Sequence, residues 1–339
     1  MFVVDTNTAD ELDRQLAQCL GVDGRASFAA IADILGVSDQ TVARRYRRLR
    51  SQGLLRVVGL KARNKVGQLG WFLRMRCVPG YGEPIAAALA RRPDTAWIQL
   101  LSGDTEVLCT LRGDARDDHN SLLARLPRSA RIVQVTAYSL LHLYVGGADG
   151  LGFMEVLPPD RVEPLRVPVH GGHDRVELGD LDTALFQALG VDGRAPYADL
   201  AGATGWSEST VRRRMDQLRD TGVLYFDLEL NMAAFGFRST TWLWMSVAPA
   251  QLVAAGQALS TFPEVAYAAA TTGPANLSVC AVCRDETEFY EFLTAKAGSL
   301  PGIERVETAP VIRTVKQASA VMVPANLSTE RTVLTPRAQ

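Results

Sequence analysis

The chain has little cysteine, little histidine, almost no net charge and no long apolar run, and each shortage removes a class of function. Its five cysteines (Cys19, Cys77, Cys109, Cys280 and Cys283) are odd in number and widely scattered, which does not build a disulfide framework. Cys280 and Cys283 do form a C-x-x-C, but LSVCAVC reads as a strand. Residues three apart on a strand point to opposite faces, so neither a metal nor a redox role is expected of the pair. His170 and His173 flank a glycine pair in VHGGHD, yet two histidines without a third and fourth ligand do not define a zinc site. No metal and no cofactor is therefore expected. No run of 18 apolar residues occurs, and the opening MFVVDTNTAD has no basic segment followed by an apolar core. Neither a membrane span nor a signal peptide is indicated, and a cytoplasmic location is expected. With a formal net charge of -1, any affinity for nucleic acid must come from a local patch.

The sequence does contain an internal repeat. Residues 20–26 read LGVDGRA and so do residues 189–195, an offset of 169. The register holds without a gap: Leu12-Asp13 falls on Leu181-Asp182, Gly36 on Gly205, Ser38 on Ser207, Thr41-Val42 on Thr210-Val211, Leu49-Arg50 on Leu218-Arg219 and Gly53 on Gly222. A chain of 339 residues with 47% hydrophobic content suits several packed domains. The repeat makes it two copies of one two-part unit.

The first part of each copy is helical. Apolar residues at Leu12, Leu16, Cys19 and Leu20 give one helix, and residues 28–35 give a second with Ile31, Ile34 and Leu35 inward. Gly36-Val37 turns the chain into residues 38–52, SDQTVARRYRRLRSQ. Ser38 is a good N-cap, and Gly53 stands where a helix end favours positive φ. On a helical wheel Val42, Tyr46 and Leu49 form the inward stripe, while Gln40, Arg44 and Arg47 point outward with Thr41, Ala43 and Arg48 on the flanks. An Arg-rich face is ordinarily a solvated one. Here Arg44, Arg45, Arg47, Arg48 and Arg50 face a single carboxylate within the helix, Asp39, so the alternating-sign pairs of an exposed helix are missing. That surplus points to a phosphate partner. The arrangement is helix-turn-helix, followed by a strand or short wing at 54–60, and the second copy repeats it at 181–189, 198–203 and 207–221.

The second part of each copy changes period. Strands are expected at 71–78, 95–101, 106–112 and 132–144, with helices at 84–92 and 115–126. The second copy gives strands at 240–248, 265–271, 276–283 and 304–315, with helices at 250–261 and 286–297. The order β-α-β-β-α-β is that of the ferredoxin-like fold, whose helices cover one face of the sheet only. The uncovered face, expected to carry Trp71, Leu73 and Met75 in one copy and Trp242, Trp244 and Ser246 in the other, needs a partner. The fold class is thus α+β: two winged helix-turn-helix domains (1–60 and 179–229) and two ferredoxin-like domains (61–145 and 230–319). A Gly- and Pro-rich linker (146–178) joins the copies, and a tail follows (320–339).

These residues resemble the Lrp/AsnC family of transcription regulators. The resemblance is carried by Leu12-Asp13, the DGR of residues 23–25, the Ser38, Thr41-Val42, Arg45 and Leu49 pattern ending at Gly53, and the Gly103 and Gly273 turns, and it covers nearly the whole chain, twice. It implies a sequence-specific DNA-binding domain and a ferredoxin-like sensor that pairs sheet to sheet and binds a small effector, often an amino acid. Double-stranded DNA is the expected partner. Family members are usually single units that dimerise; here an intrachain pseudo-dimer is expected, with further homo-oligomerisation. On helix-turn-helix geometry Gln40, Ala43 and Arg44 are expected to read bases and Arg47, Arg48 and Arg50 to meet phosphate; with Ser38 and Thr41 these are the expected DNA-binding residues of the first copy, and Ser207, Ser209, Thr210, Arg212 and Arg213 are those of the second. Effector-binding positions fall on the sensor turns at Gly103, Asp104, Thr105 and Glu106, and at Thr272, Gly273 and Asn276. The first turn, SGDTE, keeps the family's acidic run, whereas TGPAN in the second has lost its carboxylates, so an asymmetric effector site is expected.

One alternative shares this architecture. The siroheme decarboxylases of haem biosynthesis are enzymes with the same two-part units, and their chemistry needs a cationic, histidine-bearing pocket for a carboxylate-rich tetrapyrrole. The sensor halves here hold only His119 and His142, both in the first copy. No catalytic residue is assigned and a non-enzyme is expected. A small-molecule-binding protein with vestigial DNA-binding domains is a further alternative.

Overall fold

The computed structural model describes residues 8–66, 70–111, 130–170, 176–318, 322–323 and 326–327. The expected helix at 115–126, and with it His119, lies outside the described residues, as does His173.

Each copy begins with three helices. In the first, α1 (Glu11–Val22) is capped by Asp10, whose side chain accepts from the Asp13 N–H, α2 (Phe28–Leu35) by Ser27, and α3 (Asp39–Ser51) by Ser38. The twin helices span Asp180–Val191, Tyr197–Thr204 and Glu208–Asp220. Glycine closes both third helices, Gly53 at φ 64 and Gly222 at φ 70, in the left-handed region the sequence called for. Val42, Tyr46 and Leu49 are buried, as the wheel requires, and so are their equivalents Val211, Met215 and Leu218.

The strand that follows each helix-turn-helix is present, and its partner is its twin. β1 (Leu55–Lys61) runs antiparallel to β6 (Leu224–Leu230), with Val57 opposite Leu228. The ribbon draws both helical domains onto one core, in which Leu16, Ile31 and Leu49 of the first copy join Leu185, Leu200 and Leu218 of the second. Gly24 and Gly193 lie against Val57 of the ribbon; a Cβ on either would stand 2.7 or 2.9 Å from a Val57 methyl, inside contact distance. The 146–178 segment contributes to this core instead of simply spanning it: Met154, Val162 and Leu165 are buried there on short helical turns.

The remaining strands are β2 (Trp71–Cys77), β3 (Thr95–Leu101), β4 (Glu106–Leu111), β5 (Ile132–Val145), β7 (Ser239–Val247), β8 (Val265–Thr271), β9 (Leu277–Cys283) and β10 (Ile303–Lys316). Within each copy the order is ferredoxin-like, β3-β4-β2-β5 and β8-β9-β7-β10. β5 and β10 run to 14 residues because each serves two sheets. The start of β5 pairs with β2 and its end with β8 of the other copy; β10 pairs with β7 and then with β3. The eight strands close into β10-β3-β4-β2-β5-β8-β9-β7, which leaves this sheet system without a free edge.

The helix-free faces therefore meet inside the chain, across Phe72, Leu101, Leu108, Tyr138, Trp242, Trp244 and Cys280. Trp242 and Trp244 face inward as expected. In the first copy the expected phase is off by one residue: Trp71, Leu73 and Met75 pack under the helix at Gly82–Ala90, and Phe72 and Arg74 face the other sheet. The core of β2 is buried on both faces, so alternation alone does not say which set looks which way. Cys280 faces the inter-sheet core, and burial pushes both the Cys280 and Cys283 thiols up to about 12, where neither ionises at neutral pH.

Candidate nucleic-acid interface and sensor cavity

The arginines of α3 divide into two groups. Arg45 Nη1 lies 2.6 Å from Asp10 and 2.9 Å from Asp13, and Arg48 also pairs with Asp13, a carboxylate wholly buried at the start of α1. Arg50 reaches across the pseudo-two-fold axis to Asp192 at 2.8 Å. The positive surplus seen within the helix is thus balanced in part from three other places in the chain. Arg48 and Arg50, expected to meet phosphate, are engaged by protein carboxylates. Arg44 and Arg47 remain fully outward, Arg47 touching only the Ala43 carbonyl one turn back at 3.2 Å, with Gln40 exposed on the same side. Ser38 and Thr41 hold the N-terminus: the Ser38 hydroxyl accepts from the Thr41 N–H and contacts its hydroxyl at 3.0 Å.

The second copy repeats the internal pairs and changes the outward face. Arg214 grips Asp182 through two hydrogen bonds of 2.8 Å, which hold that carboxyl below its usual range, and Arg219 pairs with Asp23 of the first copy. Ser207 caps the helix through Thr210 N–H and lies 2.9 Å from the Ser209 hydroxyl. Arg213, the equivalent of Arg44, is exposed; Arg212 replaces Ala43 and lies 4.1 Å above the Tyr197 ring. Asp216, also exposed, stands where the first copy has Arg47. At the far end of the helix His170 of the linker contacts Asp220 at 2.8 Å.

The DGR repeats, noted in the sequence only as matching residues, join the copies. Arg25 donates to the carbonyls of Gly193 and Ala195, and Arg194 to those of Gly24 and Ala26. Each guanidinium also stacks near an aromatic ring of the opposite copy, Arg25 at 4.9 Å from Tyr197 and Arg194 at 4.5 Å from Phe28. The reciprocity of the motif at one fixed offset was the available signal.

Between the sheets lies a cavity of about 210 Å³. Its walls are two equivalent strand pairs. On one side Arg74 and Arg76 of β2 stand opposite Thr136 and Gln134 of β5; on the other Trp244 and Ser246 of β7 stand opposite Glu307 and Arg305 of β10. The cavity therefore sits on the pseudo-two-fold axis, with unlike residues at every equivalent place. Arg74 is buried, bonded to Glu106 at 2.9 Å and Glu307 at 2.5 Å, and lies 5.2 Å from the Trp244 ring. Arg76 contacts Glu106 at 3.0 Å and Glu307 at 3.1 Å. These guanidinium groups hold the Glu307 carboxyl below its usual range, the Arg74 hydrogen bond first among them.

None of the expected effector residues lines this cavity. Gly103 and Asp104, with Ser102, form a run of three left-handed residues, and the Thr105 hydroxyl donates to the Ser102 carbonyl. Glu106 lies behind the wall, held by Arg74 and Arg76. In the second copy the Thr272 hydroxyl accepts from the Ser139 N–H, Gly273 lies beneath the Tyr138 ring, and the Asn276 amide bonds both backbone groups of Val247. The turn neighbours Pro274 and Ala275 are the ones that reach the cavity. Sequence reading missed Arg74, Arg76, Arg305 and Glu307; alternating arginines in RMR, on one face of β2, were the visible hint. His142 is exposed on β5 against Tyr144, away from the cavity lining.

The AsnC-type helix-turn-helix domain matches residues 10–50 and 178–219, and the Lrp/AsnC ligand binding domain matches 242–321. The HTH-type transcriptional regulator FL11 of Pyrococcus horikoshii is 29% identical over 146 residues, 43% of this chain and 96% of that protein. The HTH-type transcriptional regulator LrpA of the same organism is 22% identical over 140 residues, 41% of this chain and 99% of that protein. Among solved structures, the siroheme decarboxylase NirDL aligns over 91% of this chain and 93% of its own, with a TM-score of 0.60 and 12% identity. At that identity the likeness is one of fold.

Proposed function

The chain belongs to the Lrp/AsnC family of transcription regulators, as two family units fused in one polypeptide, and from that footing we propose that it reads a specific double-stranded DNA site and is controlled by a small molecule held between its sensor sheets. The observation that carries the DNA reading is the outward pair Arg44 and Arg47, the two arginines of α3 that no carboxylate among the described residues engages. In helix-turn-helix proteins the N-terminal half of the second helix of the motif meets base edges while later cations meet phosphates. Gln40, Ala43 and Arg44 are accordingly the base-reading positions and Arg47 a backbone contact, with Arg48 and Arg50 secondary because both already hold carboxylates. Ser38, Thr41, Ser207, Ser209 and Thr210 present the helix N-termini. Arg212 and Arg213 serve the second half-site.

The test separates the two outward arginines. Replacing Arg44 by Ala costs roughly 1–3 kcal/mol on the matched site and relaxes base preference there, as expected for a bidentate contact to guanine. Replacing Arg47 weakens all sequences alike and lowers the salt slope by about one. Fluorescence anisotropy on selected and scrambled duplexes across a salt series reads both; indistinguishable variants would overturn the division of roles. The decarboxylase alternative is supported by fold likeness alone. Against it, a cavity of about 210 Å³ is small even beside the roughly 300–1,000 Å³ typical of sites for drug-sized ligands, and a tetrapyrrole is larger than those ligands.

A further inference from the structure

We propose that the cavity on the pseudo-two-fold axis binds one small organic monocarboxylate per chain and rejects the amino acid with the same body. The term effector for this ligand rests on the regulator reading above; the binding itself rests on the cavity.

The charges on the wall set the chemistry. Arg74, Arg76 and Arg305 face the cavity against one lining carboxylate, Glu307, with Glu106 behind, so one positive charge is in excess. The excess is localised: Arg305 is exposed and makes no hydrogen bond or salt bridge to any described residue, whereas Arg74 and Arg76 are occupied by the two glutamates. A guanidinium with an open fork matches a carboxylate. A buried donor belongs to the same lining. Trp244 lines the cavity at 2% exposure, and its indole N–H, buried, has no acceptor among the described residues. Such a group costs free energy unless a ligand or water accepts from it. The Tyr138 and Trp244 rings, stacked at 5.0 Å, supply an apolar surface for the body of the ligand.

The same wall tells against an ammonium group. Glu307 already receives both Arg74 and Arg76, at 2.5 and 3.1 Å, and Glu106 is spent on the same pair. An α-amino acid would bring a further cation to a wall whose net charge is already positive. Stoichiometry follows from position. In a homodimer a site on the axis presents two equal halves; here fusion has put Arg74 opposite Trp244 and Gln134 opposite Arg305 as equivalents, so the ligand has one orientation and binds once per chain.

The experiment is calorimetric titration of the full chain with phenylacetate, phenylalanine and 2-phenylethylamine, which share a phenyl body and differ in their charged groups. Phenylacetate is expected to bind at one per chain, phenylalanine at least about tenfold more weakly, and phenylethylamine not at all. Arg305→Gln, at an exposed position that does not disturb folding, is expected to weaken phenylacetate about tenfold or more, with Arg305→Lys recovering part of the loss. Absence of phenylacetate binding at millimolar concentration, two sites per chain, phenylalanine as tight as phenylacetate, or an unaffected Arg305→Gln would each overturn the proposal. DNA binding measured on the same preparations keeps the two readings apart: phenylacetate bound by a chain with no specific DNA binding sinks the regulator reading alone, and the converse sinks the cavity site alone.

Discussion

The indole N–H of Trp242 donates to Gln99 Oε1 across 2.7 Å, a buried bond between side chains 143 residues apart in sequence. Gln99 belongs to the first copy and Trp242 to the second, so the bond crosses the interface that closes the eight strands. Removing the acceptor with Gln99→Ala leaves a buried donor unsatisfied and is expected to cost about 1–3 kcal/mol. Trp242→Phe in the same background is expected to recover part of that cost, because both polar groups are then gone. A double-mutant cycle by urea denaturation reads the coupling; additive single effects would show that the bond adds nothing to joining the copies.

A chain cut after residue 145 keeps one complete unit and loses its twin. β1 then has no β6, Arg25 has no Gly193 or Ala195 carbonyl, and Phe72, Leu101, Leu108 and Tyr138 lose the opposite sheet. An uncovered apolar sheet face and an open strand edge both recruit a second copy. Such a chain is expected to self-associate, giving at least a dimer by light scattering. A monomer that stays monodisperse at high concentration would mean that the inter-copy surface is dispensable.

Much of this architecture is legible in the sequence because the repeat states it twice. Helix limits followed from local chemistry: Ser38 and Gly53 bracket α3, and the structure puts a cap and a left-handed residue at those places. Two kinds of fact were not legible. The phase of β2 was one, since Trp71, Phe72, Leu73 and Met75 are all large and apolar and the face that carries Arg74 and Arg76 turns to the other sheet instead of to solvent. The fate of the arginines was the other. Counting charges along α3 finds only Asp39, while the carboxylates that engage Arg45, Arg48 and Arg50 stand at Asp10, Asp13 and Asp192, brought there by tertiary packing. The cavity likewise joins residues from four strands whose proximity depends on cross-copy pairing.

Asp227 gives the paired domains a pH dependence. It lies on β6 opposite Val58, 7% exposed, accepting from the Leu228 N–H, and burial pushes its carboxyl up to about 7. With the folded value above the ordinary carboxylate value, the folded chain keeps a proton that the unfolded chain has released between about pH 4 and pH 7. Stability from this group is therefore present at the acid end of the window and lost as pH rises through 7, a penalty of roughly 4 kcal/mol when complete. Asp227→Asn keeps an acceptor for Leu228 and removes the charge. The substitution is expected to raise the melting temperature at pH 8 and to change it little at about pH 4, where the carboxyl is protonated in the folded chain and partly so in the unfolded one; a gain independent of pH would rule out titration as the cause.

The third helices of the two helix-turn-helix units differ in their outward charge, and on the proposed reading the difference predicts the shape of the operator. Outward on α3 stand Arg44 and Arg47; outward at the equivalent places of the second helix stand Arg213 and Asp216. A carboxylate turned toward phosphates repels them, so the second helix gains less from the DNA backbone. Base reading also differs, since Arg212 replaces Ala43 and is drawn toward the Tyr197 ring. A symmetric dimer of helix-turn-helix units favours a palindrome with half-sites roughly 34 Å apart or a multiple of that. This pseudo-symmetric chain is expected to favour an imperfect palindrome whose stronger half belongs to the first copy. Replacing Arg44 and Arg47 together with Gln is expected to abolish specific binding, whereas replacing Arg212 and Arg213 lowers affinity about tenfold and leaves the first half-site protected in a footprint. Asp216→Arg, which restores the first copy's residue, is expected to strengthen binding to all sequences and to steepen the salt dependence by about one contact. Equal losses from the two double variants, or a footprint equally strong on both halves, would show that the fused copies read DNA as a symmetric pair.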